Sequence, residues 1–291
     1  DISGSLIYVA ADWGGLQIYD RDEGFIGKLS SNLRALDVKV RGNLAVVGLN
    51  YWGGIALLDV SDPSSPREIS RISGIFQCRD LWLSGDRIYA HADGDLRVYD
   101  ISDPATPTLV GSKSFGSAVR AVAGDSARNL AVALVDGGLE VVQITPTTPW
   151  PSINVPLPNN AEDDVFLLGA TAYTANGFAG VNSVDVADPS NPRRTEDSNT
   201  GNTNVLGVAA KNTARGILVV SADNILFDGV PVFDEDLDLL EVIRFPSDPD
   251  PLGIALGKGF GAVATGYRGL WLFTTDVITD KAIEFIDESK A

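Results

Sequence analysis

Short apolar segments alternate with turns along the whole chain, and one arrangement of them recurs seven times. Each copy has an apolar strand, a glycine-containing turn and a second strand, as in LIYVAADWGGLQIYD (6–20) and LAVVGLNYWGGIALLD (44–59). The other copies are 87–100, 130–143, 172–185, 217–234 and 261–274. The ends of successive copies are 39, 41, 43, 42, 49 and 40 residues apart. This near-constant spacing predicts a repeat architecture.

A further strand precedes most of these hairpins and another follows, so that each repeat predicts four strands. RALDVKV (34–40) and RDLWLSG (79–85) are first strands, and REISRI (67–72) and PTLVGS (107–112) are fourth strands. No helical periodicity separates them. Four short strands in each repeat predict an all-β fold, a seven-bladed β-propeller of four-stranded antiparallel blades.

We expect residues 1–291 to form a single propeller domain, with two irregular places. Alignment of the repeats puts Asp1 inside the inner strand of the first blade, which then lacks the start of that strand. Residues 281–288, KAIEFIDE, are predicted to form the outermost strand of the seventh blade. The sixth repeat is the longest, and we expect its extra residues to leave the sheet as a loop.

An acidic, proline-containing segment follows the third predicted strand of three repeats. The three segments are DVSDPSSP (59–66), DISDPATP (100–107) and DVADPSNP (185–192). We predict that they turn the chain towards the outer strand, with Asp62, Asp103 and Asp188 accepting backbone N–H bonds and proline fixing φ. A metal-binding role for the paired aspartates is the alternative.

The repeats share a consensus of Tyr-Val-Ala, then Gly-Gly-Leu, then Asp-Val-Ser-Asp-Pro. This consensus resembles the LVIVD repeat family of bacterial and archaeal β-propellers, and the resemblance covers nearly the whole chain. It implies a propeller of a kind common in secreted and cell-surface proteins. It implies no single activity, because propellers support many functions, and it supplies no catalytic residue.

Charge and cysteine content narrow the range of partners and cofactors. The net charge of −17 disfavours nucleic acid and anionic membranes as partners. No apolar run reaches the roughly 18 residues that a membrane-spanning helix needs. The single cysteine excludes an internal disulfide and a thiolate zinc cluster. We expect no cofactor, with calcium as the alternative because carboxylates are abundant.

Residues with catalytic potential are few. His91 is the only histidine, and we expect it at the surface or packed against a loop, with a Ser-His-Asp triad as the alternative. Cys78 is expected to be a buried packing thiol. No nucleotide-binding, zincin or serine-elbow motif occurs. A pair of carboxylates of the glycosidase type stays open among the 39 acidic residues.

Aromatic residues recur in the loops that should share one face of a propeller. Loops between second and third strands carry Trp13, Tyr51, Trp52, Phe178, Phe227 and Tyr267, and loops that lead into new blades carry Phe76, Gln77 and Phe115. Exposed aromatic side chains bury large areas at low entropic cost, so this face predicts a recognition surface. Packing of the rings over neighbouring blades is the alternative.

Three arginines, Arg34, Arg79 and Arg120, occur at the start of the innermost strand in three consecutive repeats. We take their positions as equivalent, with Asp164 at the fourth, and expect them to converge at the mouth of the central channel. Together they could grip a carboxylate or sulfate-like group. They could equally pair with aspartates in a structural network: Asp37, Asp80, Asp163 or Asp164.

These observations predict a non-catalytic binding or scaffolding module outside the cytoplasm: extracellular, cell-surface or periplasmic. Its partner would be a protein or a glycan on the aromatic face, within a larger surface assembly. The predicted binding residues are Trp13, Arg34, Tyr51, Trp52, Arg79, Arg120, Phe178 and Tyr267, with no catalytic or metal-binding residue. The alternative is a carbohydrate-active enzyme, a glycosidase or lyase, with carboxylates at the channel mouth.

Overall fold

Antiparallel β-sheet accounts for the regular structure of the chain. The computed structural model describes residues 1–29, 34–158, 164–198, 204–213, 216–223, 229–244, 251–265 and 269–275. Within these ranges there are 27 strands and no helix, and thus no helix that could span a membrane. The strands form seven sheets in which neighbours follow chain order. The fold is a seven-bladed β-propeller, as the repeats predict.

The strands of the seven blades run as follows. Blade one contains β1 (Ile2–Ser3), β2 (Leu6–Ala10), β3 (Leu16–Asp20) and β4 (Gly24–Leu29). Blade two contains β5 (Ala35–Arg41), β6 (Leu44–Leu49), β7 (Ile55–Asp59) and β8 (Arg67–Ile72). Blade three contains β9 (Cys78–Ser84), β10 (Arg87–Ala92), β11 (Asp95–Asp100) and β12 (Thr108–Lys113). Blade four contains β13 (Val119–Asp125), β14 (Leu130–Val135), β15 (Gly138–Gln143) and β16 (Ser152–Pro156).

The remaining strands belong to blades five to seven. Blade five contains β17 (Asp164–Leu168), β18 (Thr171–Ala175), β19 (Val181–Asp185) and β20 (Arg193–Asp197). Blade six contains β21 (Val205–Thr213), β22 (Gly216–Asp223), β23 (Gly229–Phe233) and β24 (Leu239–Arg244). The described part of blade seven contains β25 (Pro251–Leu256), β26 (Phe260–Thr265) and β27 (Gly269–Thr274). Residues 281–288, predicted as its outermost strand, lie outside the described residues.

By its internal contacts the chain divides into two compact units. The first comprises residues 1–135 and 142–152, and the second comprises residues 136–141 and 153–291. The first unit holds blades one to three entirely. The second holds blades five to seven.

Burial follows the position of a strand within its blade. All six residues of β6 and all six of β14 are buried, whereas all five residues of β20 are exposed. A second strand is covered on both faces because blades pack face to face, so its sequence is a continuous apolar run and not an alternating one. In the first unit, Val46 and Leu57 of blade two join Leu81 and Ile88 of blade three in one core cluster. Each core is therefore shared by adjacent blades.

The acidic segments form the predicted turns. Asp62 Oδ1 accepts the backbone N–H of Ser64 at 3.0 Å, and Asp188 Oδ1 accepts that of Ser190 at 2.9 Å. Asp103 Oδ1 accepts the backbone N–H of Ala105 at 3.0 Å. These bonds confirm the predicted turn-making role of the three aspartates. They fix the chain as it leaves the third strand for the outer one.

Blade six departs from the others in the length of its first hairpin. β21 has nine residues and β22 has eight, and their pairing continues to Thr213 and Gly216. Part of the extra length of this repeat therefore extends the sheet, whereas we expected it to leave the sheet as a loop. Residues 224–228, which carry the rest of the extra sequence, lie outside the described residues.

Candidate binding surface

Four aromatic side chains from blades one to three form one exposed cluster, which we call the aromatic patch: Trp13, Tyr51, Trp52 and Phe76. Their exposed fractions are 65%, 54%, 69% and 42%. Trp13 stacks on Tyr51 with ring centroids 5.9 Å apart. Phe76 meets Tyr51 and Trp52 edge to face, at 6.1 and 5.5 Å. All four rings lie in the first unit, in contact with one another and with solvent.

The turn between β6 and β7 holds two of these rings in an unusual backbone conformation. Tyr51 and Trp52 have φ values of 53° and 65°, a region that bulky residues rarely adopt. The turn is closed by a hydrogen bond from Gly53 N–H to the Asn50 carbonyl at 3.1 Å. Trp52 N–H donates to the Phe76 carbonyl at 2.9 Å, which ties the turn to blade three. The left-handed conformation costs roughly 1–2 kcal/mol per residue, and such strain is concentrated at functional sites.

Arg34 is held against the patch by Asp12. Its Nε and Nη2 atoms donate to the two carboxylate oxygens of Asp12, and its Nη1 donates to the Tyr51 hydroxyl at 3.2 Å. The guanidinium carbon lies 5.5 Å from the ring centroids of both Trp13 and Tyr51, within cation–π range. These hydrogen bonds, above all that with Asp12, raise the pKa of Arg34. Arg34 thus joins the predicted surface, but as a fixed ion pair.

Asp93 shapes the loop that carries Phe76. Its Oδ1 atom accepts the backbone N–H groups of Phe76 and Gln77, at 2.9 and 3.0 Å, and its Oδ2 atom pairs with Arg97 at 3.1 Å. Neither Asp12 nor Asp93 was among the residues predicted from the sequence. Each of the two aspartates directly precedes an aromatic residue or a glycine in a turn, and this sequence pattern could have identified them.

Arg79 and Arg120 occupy equivalent positions, but Arg34 does not. The pairing of β9 with β10 shifts by one residue at Arg79, which is therefore the extra residue of a β-bulge. Arg120 has this place in β13, and Leu36 has it in β5. Arg34 lies two residues before Leu36, ahead of the strand. The predicted equivalence of the three arginines is thus wrong: all three strands share the bulge, and Arg34 lies two residues before it whereas Arg79 and Arg120 are at it.

The aspartates proposed as alternative partners of the arginines bind backbone groups. Asp37 accepts a hydrogen bond from the backbone N–H of Leu81 at 2.8 Å, and Asp80 accepts one from that of Val122 at 2.6 Å. In both cases the donor lies in the inner strand of the next blade. In the second unit, Asp164 accepts the N–H of Val208 at 3.0 Å. These carboxylates link adjacent blades. Asp163 lies outside the described residues.

Two of the predicted binding residues belong to the second unit. Phe178 is 60% exposed and lies in the turn between β18 and β19, the position that Trp13 has in blade one. The residues before Phe178 and Trp13 are Gly177 and Asp12. Each forms a β-bridge with the first residue of the next blade's inner strand. Tyr267 lies outside the described residues, as does Phe227.

Of the two positions expected for His91, at the surface or packed against a loop, the surface position is wrong, because His91 is buried. It is 6% exposed, and its Nδ1 lies 3.2 Å from the backbone carbonyl of Arg120. Burial, helped by the charges of Arg79 and Arg120, lowers its pKa to about 4. Cys78 is fully buried, as predicted, and burial raises the pKa of its thiol. No serine is hydrogen-bonded to His91 among the contacts of the described residues, which gives the triad alternative no support.

Six carboxyl groups have a pKa below the ordinary value: Asp20, Asp59, Asp62, Asp100, Asp125 and Asp188. Hydrogen bonds from neighbouring serines are the main cause at Asp62 and Asp188. Burial opposes the shift at Asp125, where hydrogen bonds from Arg128 outweigh it. Within the described ranges no group of three or more histidine, cysteine or acidic side chains is arranged to hold a metal.

Comparison with known proteins identifies the repeat. Residues 34–73 and 77–114 match the model of the LVIVD repeat, and the two segments correspond to blades two and three. The search of curated proteins found no significant match.

Solved structures share the fold at low sequence identity. A protein of unknown function from Desulfotomaculum acetoxidans is 13% identical, with a TM-score of 0.74 over 94% of this chain and 92% of its own. A chain of the mitotic checkpoint complex is 13% identical, with a TM-score of 0.73 over 93% and 86%. The WD40 β-propeller domain of Doa1 is 11% identical, with a TM-score of 0.71 over 94% and 90%.

Proposed function

We propose that this seven-bladed propeller, whose second and third blades are LVIVD repeats, is a non-catalytic module that binds a protein partner on the aromatic patch. The observation that carries the proposal is the turn at Tyr51 and Trp52. Two large side chains adopt a backbone conformation that bulky residues rarely adopt, and both rings are exposed. Folding alone gives no reason for that choice, whereas a partner that buries both rings would.

The composition of the patch also fits protein recognition. Interface centres are enriched in tryptophan, tyrosine, phenylalanine and arginine. The patch combines three of these ring types with the fixed guanidinium of Arg34. Its rings contact one another, so little side-chain freedom is left to lose when a partner binds. One similar structure is a chain of the mitotic checkpoint complex, which supports the same class of function.

Hydrolysis of a glycan is less well supported. A glycosidase needs a carboxylic acid whose pKa is raised so that it can donate a proton near neutral pH. Asp20, Asp62 and Asp188 have a lowered pKa, because hydrogen bonds stabilise the charged form, so these three carboxyl groups do not suit that role. This favours binding over carboxylate catalysis.

We also place the module outside the cytoplasm, at the cell surface or in the periplasm, as part of a larger assembly. The resemblance of the repeats to secreted propellers supports this location. Fractionation of cells of the source organism, followed by detection of the protein with an antibody, tests it. Recovery in the cytoplasmic fraction would contradict it.

The proposed function is tested by affinity for a captured partner. The wild-type chain is used to capture partners from an extract of its source, and each candidate is purified. Trp52→Ala should weaken its binding by about 30-fold, or about 2 kcal/mol, as loss of an interface anchor does. Phe25→Ala, which removes a half-exposed ring from the outer strand β4, is the matched control and should bind normally. Equal binding by wild type and Trp52→Ala would reject the patch as the interface.

A further inference from the structure

β20, the outer strand of blade five, combines an exposed edge with an unusual composition. It is the last strand of its sheet, and all five of its residues are exposed. Its sequence, Arg-Arg-Thr-Glu-Asp, has no apolar side chain, whereas at least two occur in each of the other described outer strands: β4, β8, β12, β16 and β24. Packing within the chain therefore does not account for its charges.

Asp197 directs its backbone away from the sheet. Glu196 N–H donates to Ser183 Oγ of β19 at 3.1 Å. Ser198 N–H donates to the Val181 carbonyl of β19 at 2.8 Å. Both N–H groups thus point into the sheet. Because successive backbone groups of a strand point to opposite sides, the N–H and C=O of Asp197, which lies between them, point outwards, where a further strand can pair with them.

Arg194 has the same outward orientation. Val186 N–H donates to a carbonyl just before β18 at 2.8 Å, so the backbone of Asp185, the preceding residue, faces β20. Asp185 pairs with Arg193, which therefore faces back towards β19. The backbone of Arg194, the next residue along, consequently points outwards. β20 thus presents one arginine and one aspartate at its open edge.

A β-bulge separates these two outward residues. Between Arg194 and Asp197, two residues of β20 lie opposite the single residue Ser183 of β19. Register shifts between the third and the outer strand also occur in four other blades, at β4, β8, β12 and β24. The bulge therefore belongs to the repeat and is not a device that protects the edge of β20 alone.

We propose that β20 pairs with β20 of a second copy of this chain, antiparallel and across a two-fold axis. Arg194 of each copy then lies opposite Asp197 of the other, and the symmetry makes this contact twice. Arg193 and Glu196 extend the same order of charge, with cations in the first half of the strand and anions in the second. Opposite charges across an antiparallel ladder stabilise it, whereas like charges destabilise it. A parallel pair would place arginine against arginine.

The side chains at the edge are positioned for this contact. Within one chain Arg194 Nε lies 3.6 Å from Asp197 Oδ1, and the two side chains are 39% and 44% exposed. An exposed pair at this distance contributes little to stability, so Arg194 can turn to a second copy at small cost. Asn182 Nδ2 donates to Asp197 Oδ1 at 2.8 Å, which fixes the carboxylate at the edge.

Self-association is measured by sedimentation equilibrium of the purified chain. A strand of five residues buries much less than the roughly 800 Å² per partner of a stable interface, so the dissociation constant should be on the order of 100 µM. Between about 10 and 500 µM the chain should change from mainly monomer to mainly dimer. Salt at about 1 M should weaken the dimer, because it screens exposed charges. A chain that stays monomeric over this range would overturn the proposal.

Two charge reversals test whether β20 is the interface. Arg194→Glu puts like charges opposite each other at both contacts and should weaken self-association about 30-fold. Asp197→Arg should have the same effect through facing cations. An equimolar mixture of the two variants restores opposite charges at both contacts and should associate about as strongly as the wild type. Folded variants whose mixture fails to associate, or either variant alone associating like the wild type, would contradict the proposal.

Controls separate this surface from general charge effects and from the aromatic patch. Arg67→Glu reverses the charge of an exposed arginine on another outer strand, β8, and should associate normally. A loss equal to that of Arg194→Glu would reject β20 as the interface. Circular dichroism checks folding, and Arg194→Glu is a sufficient test if Asp197→Arg, which loses the bond from Asn182, does not fold. Trp52→Ala should self-associate normally, because the patch belongs to the first unit and β20 to the second.

Discussion

Blades two and three each place two consecutive residues with positive φ between their second and third strands, but with opposite kinds of residue. In blade three the two central residues are Asp93 and Gly94, with φ values of 55° and 89°. This Asp-Gly pair is the preferred one for a turn with positive φ at both positions. In blade two the central residues are Tyr51 and Trp52, with φ values of 53° and 65°. Blade three therefore has a residue pair that adopts positive φ with little strain, and blade two has a pair that adopts it with more strain.

The difference separates what the fold requires from what it merely tolerates. The turn of blade three shows that closure of the hairpin does not need aromatic residues. The turn of blade two exposes more than half of each ring, so burial does not compensate for the strain. The proposed binding role would explain the position of the rings.

The largest difference is expected between two glycines of these connections, Gly54 in blade two and Gly94 in blade three. Gly54 has φ of 69°, and a Cβ atom there would overlap the carbonyl oxygen of Ile72 on the neighbouring strand. Gly54→Ala should lower the free energy of unfolding by about 4 kcal/mol, from backbone strain and overlap together. Gly94 has open space around its Cβ position, so Gly94→Ala should cost only about 1 kcal/mol. Denaturant unfolding of both variants measures this, and similar losses would show that the blade-two turn is not tightly constrained.

Acid should destabilise blade three through His91, whose counterpart in blade two is Gly48. Burial lowers the pKa of His91 from 6.5 to about 4 in the folded chain. Between these two pH values His91 is protonated in the unfolded chain but not in the folded chain. The free energy of unfolding therefore falls as the pH drops from about 6.5 towards 4. The full contribution is about 3 kcal/mol. In His91→Gln the loss of unfolding free energy between pH 7 and pH 4 should be smaller by this amount, and an unchanged pH dependence would contradict the burial of His91.

Two substitutions at Trp52 separate backbone strain from the side chain. Trp52→Ala and Trp52→Gly both remove the ring, but only glycine adopts positive φ without a steric penalty. The glycine variant should be more stable than the alanine variant by about 1 kcal/mol, and both should lose partner binding to the same extent. The free energies of unfolding of the two variants, measured side by side, test this. Alanine equal to or better than glycine would mean that the turn is not strained.

The fold was predictable because the regular spacing of strands and turns along the sequence reveals the repeat. Asp62 and Asp188 form their turns through bonds to residues only two positions away, so local sequence was sufficient. That Arg34 is not equivalent to Arg79 and Arg120 was not predictable, because the sequence does not mark the bulge, at Leu36 in blade two, that defines the equivalent position. Nor was the burial of His91, whose hydrogen-bond partner is a backbone carbonyl 29 residues away.

The candidate surface was predictable in composition but not in detail. The recurring loop aromatics identified Trp13, Tyr51 and Trp52, because loops at equivalent places of the repeat share a position in each blade. The ion pair of Arg34 with Asp12 joins residues 22 positions apart in different blades, and no local pattern marks it. Contacts between blades were thus the part that the sequence alone did not provide.

The central claim is that the exposed rings of blade two serve binding and not folding, and the stability of Trp52→Ala tests it most directly. Trp52 is 69% exposed and contacts Phe76 edge to face. Its loss should lower the free energy of unfolding by less than about 1 kcal/mol, as expected for an exposed aromatic pair. A ring that supports the core would cost about 3 kcal/mol or more when truncated. Denaturant unfolding of Trp52→Ala beside the wild type should give the smaller value, and a loss near the larger one would contradict the claim.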